Sequence, residues 1–305
     1  VLKKEKEIAI KDIKSLASRK ASELTLNALT KGSNTLIGGS ADLAGSNNTK
    51  TKHQKIIKPG EFHSDYIHYG VREHAMSGIM NGLALHSNFI PYGGTFLIFS
   101  DYCKPSIRLA ALMGLKVIYI FSHDSIGLGE DGPTHQPIEQ LTGLRAIPNL
   151  NVFRPADINE TLECWEIALK SKNTPSVIAL SRQKLPYINP KLSKENKSAL
   201  GAYQVNITSH DSKVILLASG SEVELALEAQ KNLKENNIDT KVISMPCQEL
   251  FDCQPDEYKR EILEDDTLII SIEAGSVACW HKYIGLKGVS FGIDNFGKSA
   301  PYKEV

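Results

Sequence analysis

The sequence predicts an α/β protein of two domains, each built on a mostly parallel sheet flanked by helices. Two observations carry the fold class. Short runs such as Lys116-Val117-Ile118-Tyr119-Ile120-Phe121 and Ser176-Val177-Ile178-Ala179-Leu180 are apolar on both strand faces, which marks strands covered by helices on both sides. These runs alternate with helical patterns, the order that gives parallel sheets. A third observation divides the chain. Residues 183–200 mix Pro186 and Pro190 with Lys, Ser and Asn, and a second α/β unit follows, so the stretch reads as an interdomain linker. The expected division is an exposed helix or linker over 1–15, a first domain over 16–186, a linker over 187–200 and a second domain over 201–305.

In chain order, Ser18-Arg19-Lys20-Ala21-Ser22-Glu23 opens a helical pattern that stops at Lys31-Gly32, a basic residue and a glycine. Asn34-Thr35-Leu36-Ile37 is a short strand running into Gly38-Gly39-Ser40-Ala41-Asp42-Leu43-Ala44-Gly45-Ser46-Asn47, and 48–66 is polar and irregular. Met76, Ile79, Met80 and Leu83 then follow i, i+3, i+4, i+7, a helix with one buried face. Glu73 continues that stripe, where a carboxylate is costly without a partner. Asn88–Tyr92 is a strand, and Phe96, Phe99 and Tyr102 at three-residue spacing share one side of a helix that continues to Gly114. After strand 116–121 come a helix over 137–146, strand 150–153, helix 158–170 and strand 176–180. The second unit reads as strand 213–218, a helix over 221–236 opened by a Ser221-x-x-Glu224 capping box, and strands 240–245, 267–272 and 287–294. The chain begins with Val1 rather than Met, as a processed product or a fragment would, and no closing helix follows the last strand.

Composition narrows the function classes. Lys+Arg and Asp+Glu both number 35, so charge gives no argument for nucleic acid or a membrane surface as partner. No apolar run approaches the roughly 20 residues that span a bilayer, and no signal peptide opens the sequence. Five scattered cysteines without Cys-x-x-Cys spacing read as reduced cytoplasmic thiols, neither a disulfide frame nor a zinc site. G-x-S-x-G, P-loop, His-Glu-x-x-His and diphosphate–metal motifs are all missing.

Function concentrates at strand ends, where open α/β sheets bind ligands. The stretch from His123 to Pro137 carries three glycines, two histidines and three acids in fifteen residues, stiffened by Pro133 and Pro137. Histidine is the residue type suited to moving protons near neutral pH. Arg182 just past strand 176–180 suits an anion. Taken singly, each feature also admits a plainer reading: Glu73 as a helix-dipole residue, the three rings as core, Arg182 as a surface cation.

Taken together, Gly38-Gly39-Ser40-Ala41-Asp42-Leu43, Arg72-Glu73-His74-Ala75-Met76, Pro91-Tyr92-Gly93-Gly94-Thr95-Phe96, Ala179-Leu180-Ser181-Arg182-Gln183 and Gly129-Glu130-Asp131-Gly132-Pro133-Thr134-His135-Gln136-Pro137 resemble transketolase in order and spacing. The resemblance covers about 14–305. It implies the thiamine-diphosphate-binding fold with a pyrimidine-binding domain, followed by a transketolase C-terminal domain that takes no part in the chemistry. The implied activity is transfer of a two-carbon ketol unit from a ketose phosphate to an aldose phosphate, in the pentose phosphate pathway. Glu73 should hydrogen-bond the aminopyrimidine of thiamine diphosphate and so promote removal of the thiazolium proton. Phe96, Phe99 and Tyr102 should wall that ring, with Asp42 supporting the pocket. Asp131 and His135 should contact sugar hydroxyls, His135 counting with Glu73 as catalytic, and Arg19, Ser46, His123 and Arg182 should hold the phosphate. The resemblance further implies a cytoplasmic homodimer with its site at the subunit interface. No metal ligand is expected here, because the family binds the diphosphate and Mg2+ or another divalent cation in an N-terminal domain that this chain is expected to lack. Two other readings stay open. One is a different thiamine-diphosphate enzyme, such as 1-deoxyxylulose-5-phosphate synthase or a pyruvate dehydrogenase beta subunit. The other is a non-catalytic fragment or partner subunit.

Overall fold

The computed structural model describes residues 2, 4, 6, 15–33, 35–188, 195–206, 212–264, 266–301 and 303–305. Most of the N-terminal segment, Asn34 and the centre of the expected linker, Pro190 included, lie outside the described residues. The strands are β1 Ser15–Ala17, β2 Leu36–Ser40, β3 Tyr66–His68, β4 Ile90–Phe96, β5 Ile118–Ser122, β6 Asn151–Phe153, β7 Ser176–Leu180, β8 Lys184–Pro186, β9 Tyr203–Gln204, β10 Val214–Ala218, β11 Thr240–Ser244, β12 Leu268–Ile272 and β13 Val289–Phe291. Two larger sheets organise them. The first is six-stranded in the order β3-β2-β4-β5-β7-β6, parallel throughout. The second is five-stranded in the order β13-β12-β10-β11-β9, parallel except where β9 runs against β11. β1 and β8 pair as a separate antiparallel ribbon.

The doubly apolar strands place side chains alternately in two cores. Tyr119, Phe121, Val177 and Ala179 join one cluster with Met76, Met80 and Ile107. Ile118, Ile120, Ile178 and Leu180 join the other with Leu26 and Trp165. Helices Glu73–His86 and Ser100–Leu112 therefore cover one face, and Ser18–Thr30 and Ile158–Lys170 the other. Two glycines make the edge of this core close-packed. A Cβ on Gly38 would stand 2.3 Å from the Tyr92 hydroxyl, and one on Gly39 2.1 Å from the Tyr69 ring.

Three local expectations are corrected. The buried face of helix Glu73–His86 is Glu73, Met76, Ser77, Met80 and Asn81, and Ile79 is exposed. The face is turned from the apolar stripe because the Asn81 amide donates to the Ser106 carbonyl on the neighbouring helix (2.9 Å), so a polar residue takes an inner position. Phe96, Phe99 and Tyr102 do not share a helix. Phe96 ends β4, Phe99 closes a 3-10 turn over Leu97–Phe99, and only Tyr102 lies in helix Ser100–Leu112. The Ser221 capping box does not form. Its hydroxyl donates to Glu222 Oε1 (2.6 Å) and accepts from Arg154 Nη2 (3.3 Å), so a buried arginine has taken the capping group.

Strand order sets the site. β2 leads to β3 on one side, and β4 leads to β5 on the other. The loops leaving β2 and β4 diverge, and the crevice between them is the topological switch point of the sheet.

Candidate active site

That crevice holds a cavity of about 460 Å3 lined by Ala41, Asp42 and Leu43 after β2, Phe99 and Tyr102 after β4, and Val71 and Glu73. Glu73 is the first residue of its helix. Helix packing fixes it from below, where Cys103 Sγ donates to its backbone carbonyl (3.5 Å). The residue is buried, yet no group among the described residues hydrogen-bonds its carboxylate. Asp42 is held at φ 63°, a left-handed conformation uncommon outside glycine. The turn is made by Ser40, whose hydroxyl accepts from the Leu43 N–H (3.1 Å). Two larger hollows, of about 850 and 890 Å3, are lined by a mixture of apolar, polar and charged residues and include none of the candidate residues.

The aromatic residues join this cavity to a second group. Phe96 does not line the cavity. Its ring stacks on Phe99 (5.9 Å, 7°) and on His123 (3.7 Å, 27°). His135 meets Phe96 and Phe99 edge-on, and its Nδ1 shares a hydrogen with Thr134 Oγ1 (2.9 Å). His123 is buried and, like Asp42, left-handed at φ 60°. Burial, then the charges of Arg19, Arg182 and His135, pull its pKa from 6.5 down to about 3. Arg19 sits in the first turn of helix Ser18–Thr30, where its Nη1 donates to the Ser46 carbonyl (2.7 Å). Its Nε is buried without a hydrogen-bond partner among the described residues. Burial first, then Arg182, lowers the Arg19 pKa, with Glu23 opposing. Two guanidinium groups and a neutral imidazole thus lie within electrostatic reach of one another, as a waiting anion site requires.

The candidates brought together are Arg19, Ser46, His123, His135 and Arg182, beside the cavity of Asp42, Glu73, Phe99 and Tyr102. Ser46 enters through its carbonyl. Asp131 is exposed in the Gly129–Gly132 turn and hydrogen-bonds no group among the described residues. Gly129 and Gly132, at φ 84° and 77°, are the turns that only glycine makes without strain.

Sequence reasoning missed a clasp behind this loop. Asp124, next to His123, accepts from Arg154 Nε (2.9 Å). Arg154 is fully buried and also donates to Glu222, to Glu273 (2.8 Å) and to the Ser219 carbonyl (3.0 Å). Glu273 in turn holds Arg145 Nη1 and Trp280 Nε1, each at 2.5 Å. Residues beyond 201 thereby grip the candidate loop, and Ser299 Oγ adds a bond to the Glu130 carbonyl (2.6 Å). Arg154 follows β6 as Arg182 follows β7, so its strand-end position was the available signal.

The pKa of His123 has a measurable consequence. A histidine whose folded pKa is lowered takes up its proton more readily unfolded, so stability is lost as pH falls from about 6.5 towards about 3. His123→Asn keeps a residue tolerant of left-handed backbone. It is expected to flatten this limb in urea unfolding followed across that range, and an unchanged pH dependence would show that His123 does not contribute.

Fold and site define an α/β protein with a cavity at the switch point of a parallel sheet, the place where such sheets bind ligands. The family described as "Transketolase, pyrimidine binding domain" matches residues 14–188, and "Transketolase-like TK C-terminal domain" matches 201–305. The chain belongs to the transketolase family. It is 54% identical over 287 residues to a transketolase of Sinorhizobium medicae, aligning 94% of this chain with 41% of that protein. It is 51% identical over 293 residues to a transketolase of Aquifex aeolicus, aligning 94% with 42%. A solved Pichia stipitis transketolase in complex with sedoheptulose 7-phosphate superposes with a TM-score of 0.91 at 43% identity, covering 95% of this chain and 43% of that one. The chain thus spans less than half the length of these relatives. Thiamine diphosphate is the cofactor the family implies.

Proposed function

We propose that this chain supplies the pyrimidine-binding and sugar-gripping part of an enzyme that moves a two-carbon ketol unit from a ketose phosphate to an aldose phosphate, a step of the pentose phosphate pathway. One juxtaposition carries the reading: a cavity with aromatic walls and a single buried carboxylate, unpartnered among the described residues, lies beside a cluster of donors suited to a phosphate. The relative solved with a sugar phosphate supports the substrate class.

The cavity fits the cofactor's flat end. Phe99, Tyr102 and Leu43 offer apolar contact to a ring, and Glu73 offers one acceptor to a nitrogen on its edge. Glu73, Phe99 and Tyr102 would hold the aminopyrimidine, with Asp42 supporting the pocket and Phe96 behind Phe99. When bound, thiamine diphosphate supplies the electron sink for breaking and making the carbon–carbon bond. Glu73 holds the proton at the ring nitrogen, and the aromatic walls exclude water and strengthen that bond. Arg19, Ser46, His123 and Arg182 hold the sugar phosphate. Asp131 and His135 take hydroxyls, and His135 moves a proton there. The described residues include no group of three or more His, Cys, Asp or Glu placed to hold a metal ion. We assign the diphosphate and its Mg2+ or other divalent cation to the N-terminal domain that the family resemblance implies.

We read the active form as a homodimer with the site at the subunit interface. Support comes from Val71 and Tyr102, which line the cavity and are 75% and 64% exposed, apolar area suited to cover by a second subunit. A cytoplasmic location fits the five free cysteines. No helix among the described residues is long and apolar enough to cross a membrane.

Ketol transfer by the full-length protein containing this chain tests the reading. Arg182→Ala and Arg19→Ala are each expected to raise KM for phosphorylated sugars far more than for unphosphorylated ones, since a lost bond to a charged group costs about 1.5–3 kcal/mol. Equal effects on both sugar classes would remove the arginines from the phosphate site. Absence of any ketol transfer would remove the activity itself.

A further inference from the structure

We infer that Asn47 and Ser122 form a hydrogen-bond relay that holds His123 as a donor at Nε2, so that the imidazole offers the anion a hydrogen beside the two arginines. The inference deepens the reading above and rests on it for its functional consequence.

The argument starts at a carbonyl. The Thr95 oxygen can only accept, and Asn47 Nδ2 lies 2.9 Å from it. This pins the amide orientation. Its nitrogen faces Thr95 and Ser122 Oγ (2.7 Å), and its oxygen faces Ser40 Oγ (3.2 Å). Both amide hydrogens are then committed. Ser122 Oγ receives one of them, and its other neighbour is His123 Nδ1 at 2.8 Å. If Nδ1 carried the proton and donated, the serine hydrogen would have no acceptor among the described groups. Asn47 and Ser122 are 0% exposed and His123 3%, so bulk water does not offer one, and a buried donor left unmade is costly. The economical arrangement has Asn47 donating to Ser122, Ser122 donating to Nδ1, and the ring proton on Nε2.

The ring is held in that pose. Phe96 stacks on one face at 3.7 Å, and the left-handed backbone at His123 fixes where its side chain departs. The charged or titratable groups that act on it are Arg19, Arg182 and His135, and with burial they keep the imidazole neutral. No group among the described residues hydrogen-bonds Nε2. The opposite tautomer would put a lone pair there, among two guanidiniums that await an anion, and would repel the ligand they attract. Ser122 ends β5 and Asn47 ends the short helix Ala44–Asn47, so one strand and one short helix set the polarity of the site from behind. Both act through His123 as positioning residues.

The test uses the full-length protein that contains this chain, labelled with 15N-histidine. Long-range proton–nitrogen NMR correlations report each tautomer, and His123→Asn identifies the signal. The expected result is a neutral His123 protonated on Nε2 in the parent and in Ser122→Thr, which keeps the hydroxyl. Ser122→Ala is expected to shift the ring towards Nδ1 protonation. It is also expected to raise KM for phosphorylated sugars roughly tenfold relative to unphosphorylated ones, with Ser122→Thr restoring the ratio. A parent His123 protonated on Nδ1 overturns the relay, as does an unchanged tautomer in Ser122→Ala. The tautomer is read without turnover, so a protein lacking ketol transfer would defeat the proposed function and leave this test standing.

Discussion

Glu73→Gln is expected to lower turnover of the full-length protein by roughly 10²- to 10⁴-fold, the usual range for a positioned proton-transfer group, while leaving its fold intact. Glutamine keeps the volume and can still hydrogen-bond, so the comparison isolates the carboxylate's ability to take a proton. The fold should survive because the Glu73 side chain hydrogen-bonds nothing among the described residues. It ends in the cavity, and its helix is anchored by Met76, Met80 and Asn81. The carboxylate is buried without a partner among the described residues, an arrangement that costs free energy unless a ligand compensates. Thermal unfolding should therefore leave Glu73→Gln at least as stable as the parent. Steady-state kinetics at saturating thiamine diphosphate give the decisive comparison, because near-parental turnover there would remove Glu73 from the chemistry.

What the sequence discloses and what it hides divide along physical lines. β5 and β7 are legible because strands covered on both faces need uninterrupted apolar residues, and Ile118–Phe121 and Ser176–Leu180 provide them. The switch point is legible only in part. The small polar residues after β2 mark a ligand loop, but the strand order that opens the crevice between β2 and β4 depends on pairings far apart in sequence. Short elements such as β3 and helix Asp256–Leu263 pass unnoticed because their apolar spacing is too brief to show a period. The misplaced ring of Phe96 has the same origin, since three-residue spacing suggests a helix even where a strand ends between the first ring and the second. The Asn47–Ser122 relay and the Arg154 clasp are hidden for another reason. A buried asparagine or arginine reads as a surface residue until its partners, here up to 119 positions away, are brought against it.

The Arg154 clasp carries the largest expected effect on stability. Arg154→Ala leaves Asp124 and Glu222 buried without a cation, whereas Glu273 keeps Arg145, Ser219 and Trp280. Removing one partner of a buried ion pair costs about 3–5 kcal/mol, because the remaining charge stays desolvated. The pH dependence has a definite sign. Burial already raises the Asp124 pKa, while Arg154 is the first influence that lowers it. Without the arginine the folded pKa rises further, so the folded state binds a proton that the unfolded state releases. The deficit is then largest near neutrality and shrinks as pH falls towards the ordinary carboxylate range, roughly pH 4. Activity should suffer too, since Asp124 adjoins His123 and the clasp ties the loop to Glu222 and Glu273 beyond residue 201. Urea unfolding of parent and variant between neutral and mildly acidic pH measures the deficit. Adding Asp124→Asn and Glu222→Gln to Arg154→Ala supplies the control, because a core freed of unpaired charge should recover much of the loss. If that triple variant is no more stable than Arg154→Ala, the cost comes from lost packing around the long side chain, and the electrostatic account of the clasp is wrong.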